Sequence, residues 1–190
     1  MNRSEDIDLS FLCSGKLQSH VVLLGYMGSG KTTVGTRVAT LLQTPFYETD
    51  EKIEDWQGLP VERLLSEYGE QHLRYLETKV LKNLLTDNNP SVISTGGGVV
   101  IKEENWKLLR QHSITFSLLA SPETIYSRLL SQNRATPRAK GVNFAHIEHL
   151  MNDRQEFYRN SDYILWTDDL TPAQIANRIK CILSEIGYFQ

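Results

Sequence analysis

The stretch Gly25-Tyr26-Met27-Gly28-Ser29-Gly30-Lys31-Thr32 constrains this chain more than any other. It follows the apolar run 20–24, which reads as a buried parallel strand. It leads into 33–42, where Val34, Val38, Leu41 and Leu42 have helical spacing. Strand, glycine-rich turn and helix together are the setting in which a G-x-x-x-x-G-K-[ST] run carries meaning. The glycines at 25, 28 and 30 reach conformations closed to other residues and bring backbone amides close to an anion. Those amides and the positive end of the following helix form a concave anion site over Gly28, Ser29, Gly30, Lys31, Thr32 and Thr33. Lys31 is expected on the β- and γ-phosphates of ATP, and the Thr32 hydroxyl on Mg²⁺.

The chain of 190 residues suits one domain with a full core. A net charge of −3 offers no general attraction to nucleic acid, so anion binding has to come from local sites. No apolar run approaches the length of a membrane span. Cys13 and Cys181 are isolated, which suggests neither a disulfide framework nor a zinc site and fits a cytoplasmic setting. Cys181 falls on a helical apolar face and reads as a core residue. Residues 1–18 read as a flexible N-terminal tail ahead of a single domain over 19–190.

Downstream, Phe46-Tyr47 is a short second strand that ends in Glu48-Thr49-Asp50. Alternate carboxylates on a strand share a side, and here that side faces the crevice at the carboxyl end of a parallel sheet. A magnesium or substrate-hydroxyl site and simple helix capping by Asp50 both fit the position. Tyr68-Gly69-Glu70 reads as a turn and 71–85 as a helix. Its Arg74 has Glu70 four residues before it and Glu77 three after, the spacing of a surface ion pair. Strand 90–95 ends at Gly96-Gly97-Gly98, where the backbone-entropy cost calls for a compensating close approach to a ligand. Strand 113–119, a helix from Pro122, the polar basic loop 133–145, a helix over 145–159 with Arg154 and Tyr158, strand 162–166 and a final helix complete the chain. Five strands alternating with helices imply an α/β fold with a parallel sheet covered on both faces. Trp56, Trp106 and Trp166 read as packing residues.

These pieces, in this order from about residue 20 to 186, resemble the shikimate kinases. Phosphate loop, Phe46-Tyr47-Glu48-Thr49-Asp50, Gly69-Glu70-Gln71-His72-Leu73-Arg74, Gly96-Gly97-Gly98 and the pair Arg154 and Tyr158 each match a family motif. The resemblance implies a three-layer P-loop NTPase fold with a mobile lid over 133–145 and a substrate-binding segment over 50–85. It implies a monomeric, ATP- and Mg²⁺-dependent kinase acting on shikimate, with neither nucleic acid nor membrane as partner. Arg74 and Arg154 are then expected to hold the substrate carboxylate beside Gly96, Gly97 and Gly98. Asp50 is expected to accept the substrate hydroxyls and help deprotonate one of them. Among the lid cations, Arg138 is expected on the transferring phosphate, with Arg134 there or by the adenine.

Two departures from the family pattern stand out. Glu48 occupies a position where the family usually has aspartate, and is expected as an outer partner of the metal. The lid reads Thr136-Pro137-Arg138-Ala139-Lys140 instead of the usual Arg-Pro-Leu-Leu. A gluconate-kinase-like enzyme and a non-catalytic nucleotide-binding relative are the rival readings.

Overall fold

A computed structural model describes residues 17–131 and 143–189. In chain order the elements are β1 (His20–Leu24), α1 (Lys31–Leu42), β2 (Phe46–Glu48), α2 (Thr49–Gln57), α3 (Val61–Leu85), β3 (Val92–Ser94), a short 3₁₀ turn (Val99–Ile101), α4 (Glu103–His112), β4 (Ser113–Leu119), α5 (Pro122–Ser131), α6 (Phe144–Tyr158), β5 (Tyr163–Trp166) and α7 (Pro172–Glu185). The strands lie in the order β2-β3-β1-β4-β5 and every pairing is parallel.

Every residue of β1 is buried, because the strand is flanked on both edges and covered on both faces. Side chains alternate across a strand. Val21 and Leu23 therefore enter one core with Val34 and Val38 of α1 and Ile175 and Ile179 of α7. Val22 and Leu24 enter the other, with Leu81 of α3, Leu109 of α4 and Tyr158 of α6. This is the three-layer arrangement expected. The chain leaves β1 toward β2 and leaves β4 toward β5, so the sheet reverses direction between β1 and β4. Ligand crevices form at the carboxyl ends of strands at such a point, and the loop 25–30 lies there. Close packing holds α1 down: a Cβ on Gly35 would come within 2.5 Å of Phe46 Cε2.

Several local expectations are corrected. Leu17 and Gln18, assigned to the tail, are tied to the C-terminus: Leu17 bridges Phe189 and the Gln18 amide donates to Tyr188 O at 3.2 Å. Asp50 is not on a strand with Glu48, nor is it a cap; α2 begins at Thr49 and Asp50 lies in its first turn. The turn expected at 68–70 is present inside α3, where Gly69 leaves the helical conformation, with φ 81° and ψ 170°, and a kink separates two helical segments. Trp56 and Trp166 are 55% and 57% exposed, whereas Trp106 is buried and donates to Val100 O. Cys181 is exposed, because the apolar stripe of α7 runs through Ile175, Ile179 and Leu183.

One buried group gives the fold a pH dependence. His20 Nδ1 accepts from the Ser91 amide at 3.2 Å, so in this geometry the proton sits on Nε2, which donates to Asp87 O at 3.1 Å. Burial lowers the pKa of His20 below 6.5 against the opposing pull of Asp87, and His112 lowers it further. The native state therefore resists a proton that the unfolded chain accepts. Stability is complete above the unfolded value and falls as pH drops below it. The urea midpoint should decrease between about pH 7 and pH 5, and less steeply in His20→Asn. Equal slopes for the two proteins would remove His20 as the cause.

Candidate active site

The phosphate loop adopts the backbone its glycines permit. Gly25, Gly28 and Gly30 have φ of 146°, 82° and 96°, all in the region that favours glycine. Lys31 Nζ donates to Gly25 O at 2.9 Å and Tyr26 O at 3.0 Å, so the ammonium spans the loop it serves. Ser29 is buried, and Thr32 and Thr33 are exposed on the first turn of α1. Arg128 of α5 donates to Ser29 O at 3.5 Å and to Thr167 O at 2.7 Å, linking the loop to the segment after β5.

Beside the loop, Glu48 ends β2. Thr32 Oγ1 donates to Glu48 Oε1 at 2.5 Å, and Ser94 Oγ donates to the same oxygen at 3.2 Å. A hydroxyl and a carboxylate in contact form an all-oxygen donor set, the kind that suits Mg²⁺. Among the described residues no group of three or more His, Cys, Asp or Glu could hold a metal alone. Thr49 Oγ1 accepts from the Gly96 amide at 2.9 Å, so the start of α2 is fixed to the glycine run.

That run gathers the remaining polar side chains. None of Gly96, Gly97 and Gly98 has a positive φ. What requires glycine there is space. A Cβ on Gly96 would lie 2.7 Å from Asp50 Oδ1, one on Gly97 3.5 Å from Arg154 Nη1, and one on Gly98 would overlap the Arg74 guanidinium. Arg154 Nη1 and Tyr158 Oη also donate to Gly97 O, at 3.4 and 3.1 Å. Asp50, Arg74 and Arg154 thus converge on one short stretch of backbone, and Gly25 O of the phosphate loop lies 3.7 Å from a Cβ on Gly97. Arg134 and Arg138 lie outside the described residues.

Arg74 is not the surface pair its spacing suggests. Nη1 contacts both Glu77 oxygens at 2.7 Å, Nη2 reaches Glu70 at 2.8 Å, and the Glu77 side chain is only 3% exposed. Burial acts to lower the Arg74 pKa, but the two carboxylates outweigh it and raise the value. Burial also raises the pKa of Tyr158, against the opposing effect of Arg154 and Arg74. Both guanidinium groups therefore act on the same phenol. Glu77 and Arg128 are residues beside the site that sequence reasoning did not select, and Tyr158 was named with Arg154 but given no role of its own. The signal for Glu77 was available: a carboxylate interrupts the apolar stripe Leu73, Leu76, Val80, Leu81. Arg128 has no comparable signal.

The family model for shikimate kinase matches residues 27–184. A shikimate kinase from Caldicellulosiruptor bescii is 38% identical over 160 residues, covering 84% of this chain and 92% of that relative. The solved shikimate kinase from Acinetobacter baumannii, in complex with shikimate, superposes with a TM-score of 0.79 at 30% identity, covering 88% of this chain and 94% of that one. A gluconokinase from Sinorhizobium meliloti superposes with a TM-score of 0.62 at 18% identity, a likeness of fold alone.

Removing one member of a buried ion pair strands the other. Glu77→Ala should lower the unfolding free energy by about 3–5 kcal/mol, read from urea titrations. A loss below about 1 kcal/mol would mean that the Arg74 guanidinium escapes to water.

Proposed function

We propose that this chain, which belongs to the shikimate kinase family, does its chemistry with the residues gathered around the glycine run. It is an ATP-dependent kinase: the γ-phosphoryl group of ATP passes to the 3-hydroxyl of shikimate, giving shikimate 3-phosphate and ADP. The observation that carries the assignment of residues is the meeting of Asp50, Arg74 and Arg154 at Gly96–Gly98, next to the phosphate loop.

Two guanidinium groups suit the substrate carboxylate, since each offers a planar fork of donors. Glu77 and Glu70 occupy part of the Arg74 fork and fix its direction. The Gly97 and Gly98 backbone lies against the bound acid because no side chain intervenes. Asp50 accepts hydrogen bonds from the substrate hydroxyls and takes the proton of the attacking one as the new O–P bond forms. The bond from the γ-phosphorus to the bridging oxygen breaks, and the electron pair leaves with ADP.

On the nucleotide side, the amides of Gly28, Ser29, Gly30, Lys31, Thr32 and Thr33 cradle the phosphates. Lys31 exchanges its loop carbonyls for the β- and γ-phosphate oxygens. Thr32, with Glu48 as an outer partner, would hold Mg²⁺, which would neutralise charge on those oxygens. Arg138, with Arg134 there or by the adenine, is assigned to the transferring phosphate; the lid expected over 133–145 overlaps α6, which already begins at Phe144. The protein works as a monomer in the cytoplasm.

A coupled assay for ADP release tests this. Arg74→Ala should raise the shikimate KM about a hundredfold with little change in the ATP KM. Asp50→Asn should lower kcat by about 10²–10³. Unchanged kinetics in both variants would detach these residues from the reaction, and turnover of gluconate instead of shikimate would reassign the acid.

A further inference from the structure

Alongside α6 there is a cavity of about 250 Å³, between that helix and the carboxyl ends of β4 and β5. Its walls include Leu119, Ala120, Ile125 and Met151, and three aromatic rings: Tyr26, Tyr158 and Trp166. Among the described residues no charged side chain lines it. Among the described residues its lining therefore supplies no counter-charge for a phosphate group or a carboxylate. Its size falls just below the roughly 300–1,000 Å³ of drug-sized sites, which limits a ligand to one or two rings.

One group in the wall asks for a partner. Ser29 belongs to the phosphate loop and is also one of the residues that line this cavity; it is 1% exposed, and its buried hydroxyl makes no hydrogen bond. A buried hydroxyl without a partner costs free energy that a ligand donor or acceptor would recover. Gln155 and Asn152 of α6 add amides on another side. Aromatic walls, a thioether and a single orphan hydroxyl favour a flat neutral ring with one polar atom.

The helix beside the cavity is loosely held. Of its 15 residues only Ile147 and Tyr158 are buried. The same helix carries Arg154 and, with Tyr158, the contacts to Gly97 O. Whatever fills the cavity therefore restrains the element that positions one of the two arginines at the glycine run. We propose that this cavity binds a small neutral aromatic molecule of one or two rings, and that its occupancy fixes α6 with Arg154 facing Gly97. The coupling to shikimate rests on the assignment of Arg154 to the substrate carboxylate; the binding itself does not.

Indole serves as the probe, titrated calorimetrically into the full chain. Saturable one-to-one binding is expected, weakened about tenfold in Met151→Trp, which fills the space, and in Trp166→Ala, which removes a wall. Both positions are partly or fully exposed, and unchanged thermal unfolding of the variants verifies that they fold. Shikimate should tighten indole binding, and indole should tighten shikimate binding by the same factor, about fivefold. No saturable binding at the solubility limit of indole, or equal affinity in wild type and both variants, overturns the site. Equal indole affinity with and without shikimate overturns the coupling. A chain that binds indole as described yet phosphorylates no shikimate would contradict the proposed function and leave the cavity assignment standing.

Discussion

A guanidinium withdrawn from water needs a carboxylate in contact with it, and Glu77 supplies that contact for Arg74. The pair lies where α3 packs toward the glycine run, next to Asp50 and across from α6. Without Glu77, the Arg74 guanidinium would be left beside Gly98 without the buried carboxylate that balances it. With it, the cation is fixed while one further edge of the site remains available to an acid. The interaction does two things at once: it makes burial of the charge affordable and it sets the direction of the fork. Glu70, exposed and four residues earlier, adds direction but little energy, as expected of a pair in water.

The sheet supplies the frame for that interaction. β1 is buried on every residue, and its two faces feed two separate cores. A strand so held places the loop that follows it within narrow limits, so Gly25 O comes to rest close to Gly97. Phosphate site and acid site are neighbours because adjacent parallel strands β1 and β3 end side by side. Side-chain hydrogen bonds reinforce this, with Thr49 receiving the Gly96 amide and Thr32 reaching Glu48.

Much of this was legible in the sequence because it depended on local rules. The phosphate loop, the strand centres and the order of motifs follow from glycine placement and hydrophobic period, and Arg74, Arg154 and the glycine run do come together. What was not legible depended on long-range packing. The relation of Glu48 to Asp50 was read as strand alternation, but the strand stops and α2 begins one residue after Glu48. Trp56 and Trp166 were assigned to packing by residue type, yet each is more than half exposed. Cys181 lies just off the buried stripe of α7, a difference that helical spacing alone cannot resolve. Glu77 was visible only as a break in an apolar pattern, and its meaning required the partner to be seen.

The glycine run shows why residue type and residue role should be argued separately. Three consecutive glycines suggest a chain that needs unusual backbone angles, but here the angles are ordinary. Each glycine instead leaves room for a different side chain: Asp50 at the first, Arg154 at the second and Arg74 at the third. Three such residues cost roughly 2–3 kcal/mol of conformational entropy in sum. The compensation is that one carboxylate and two guanidinium groups approach the same short backbone segment. A methyl at Gly96 would press on Asp50 and one at Gly98 on Arg74, whereas one at Gly97 would meet Arg154 only at ordinary contact distance. The run therefore combines two separate spatial requirements, set at its first and third positions by the elements opposite them, α2 and α3.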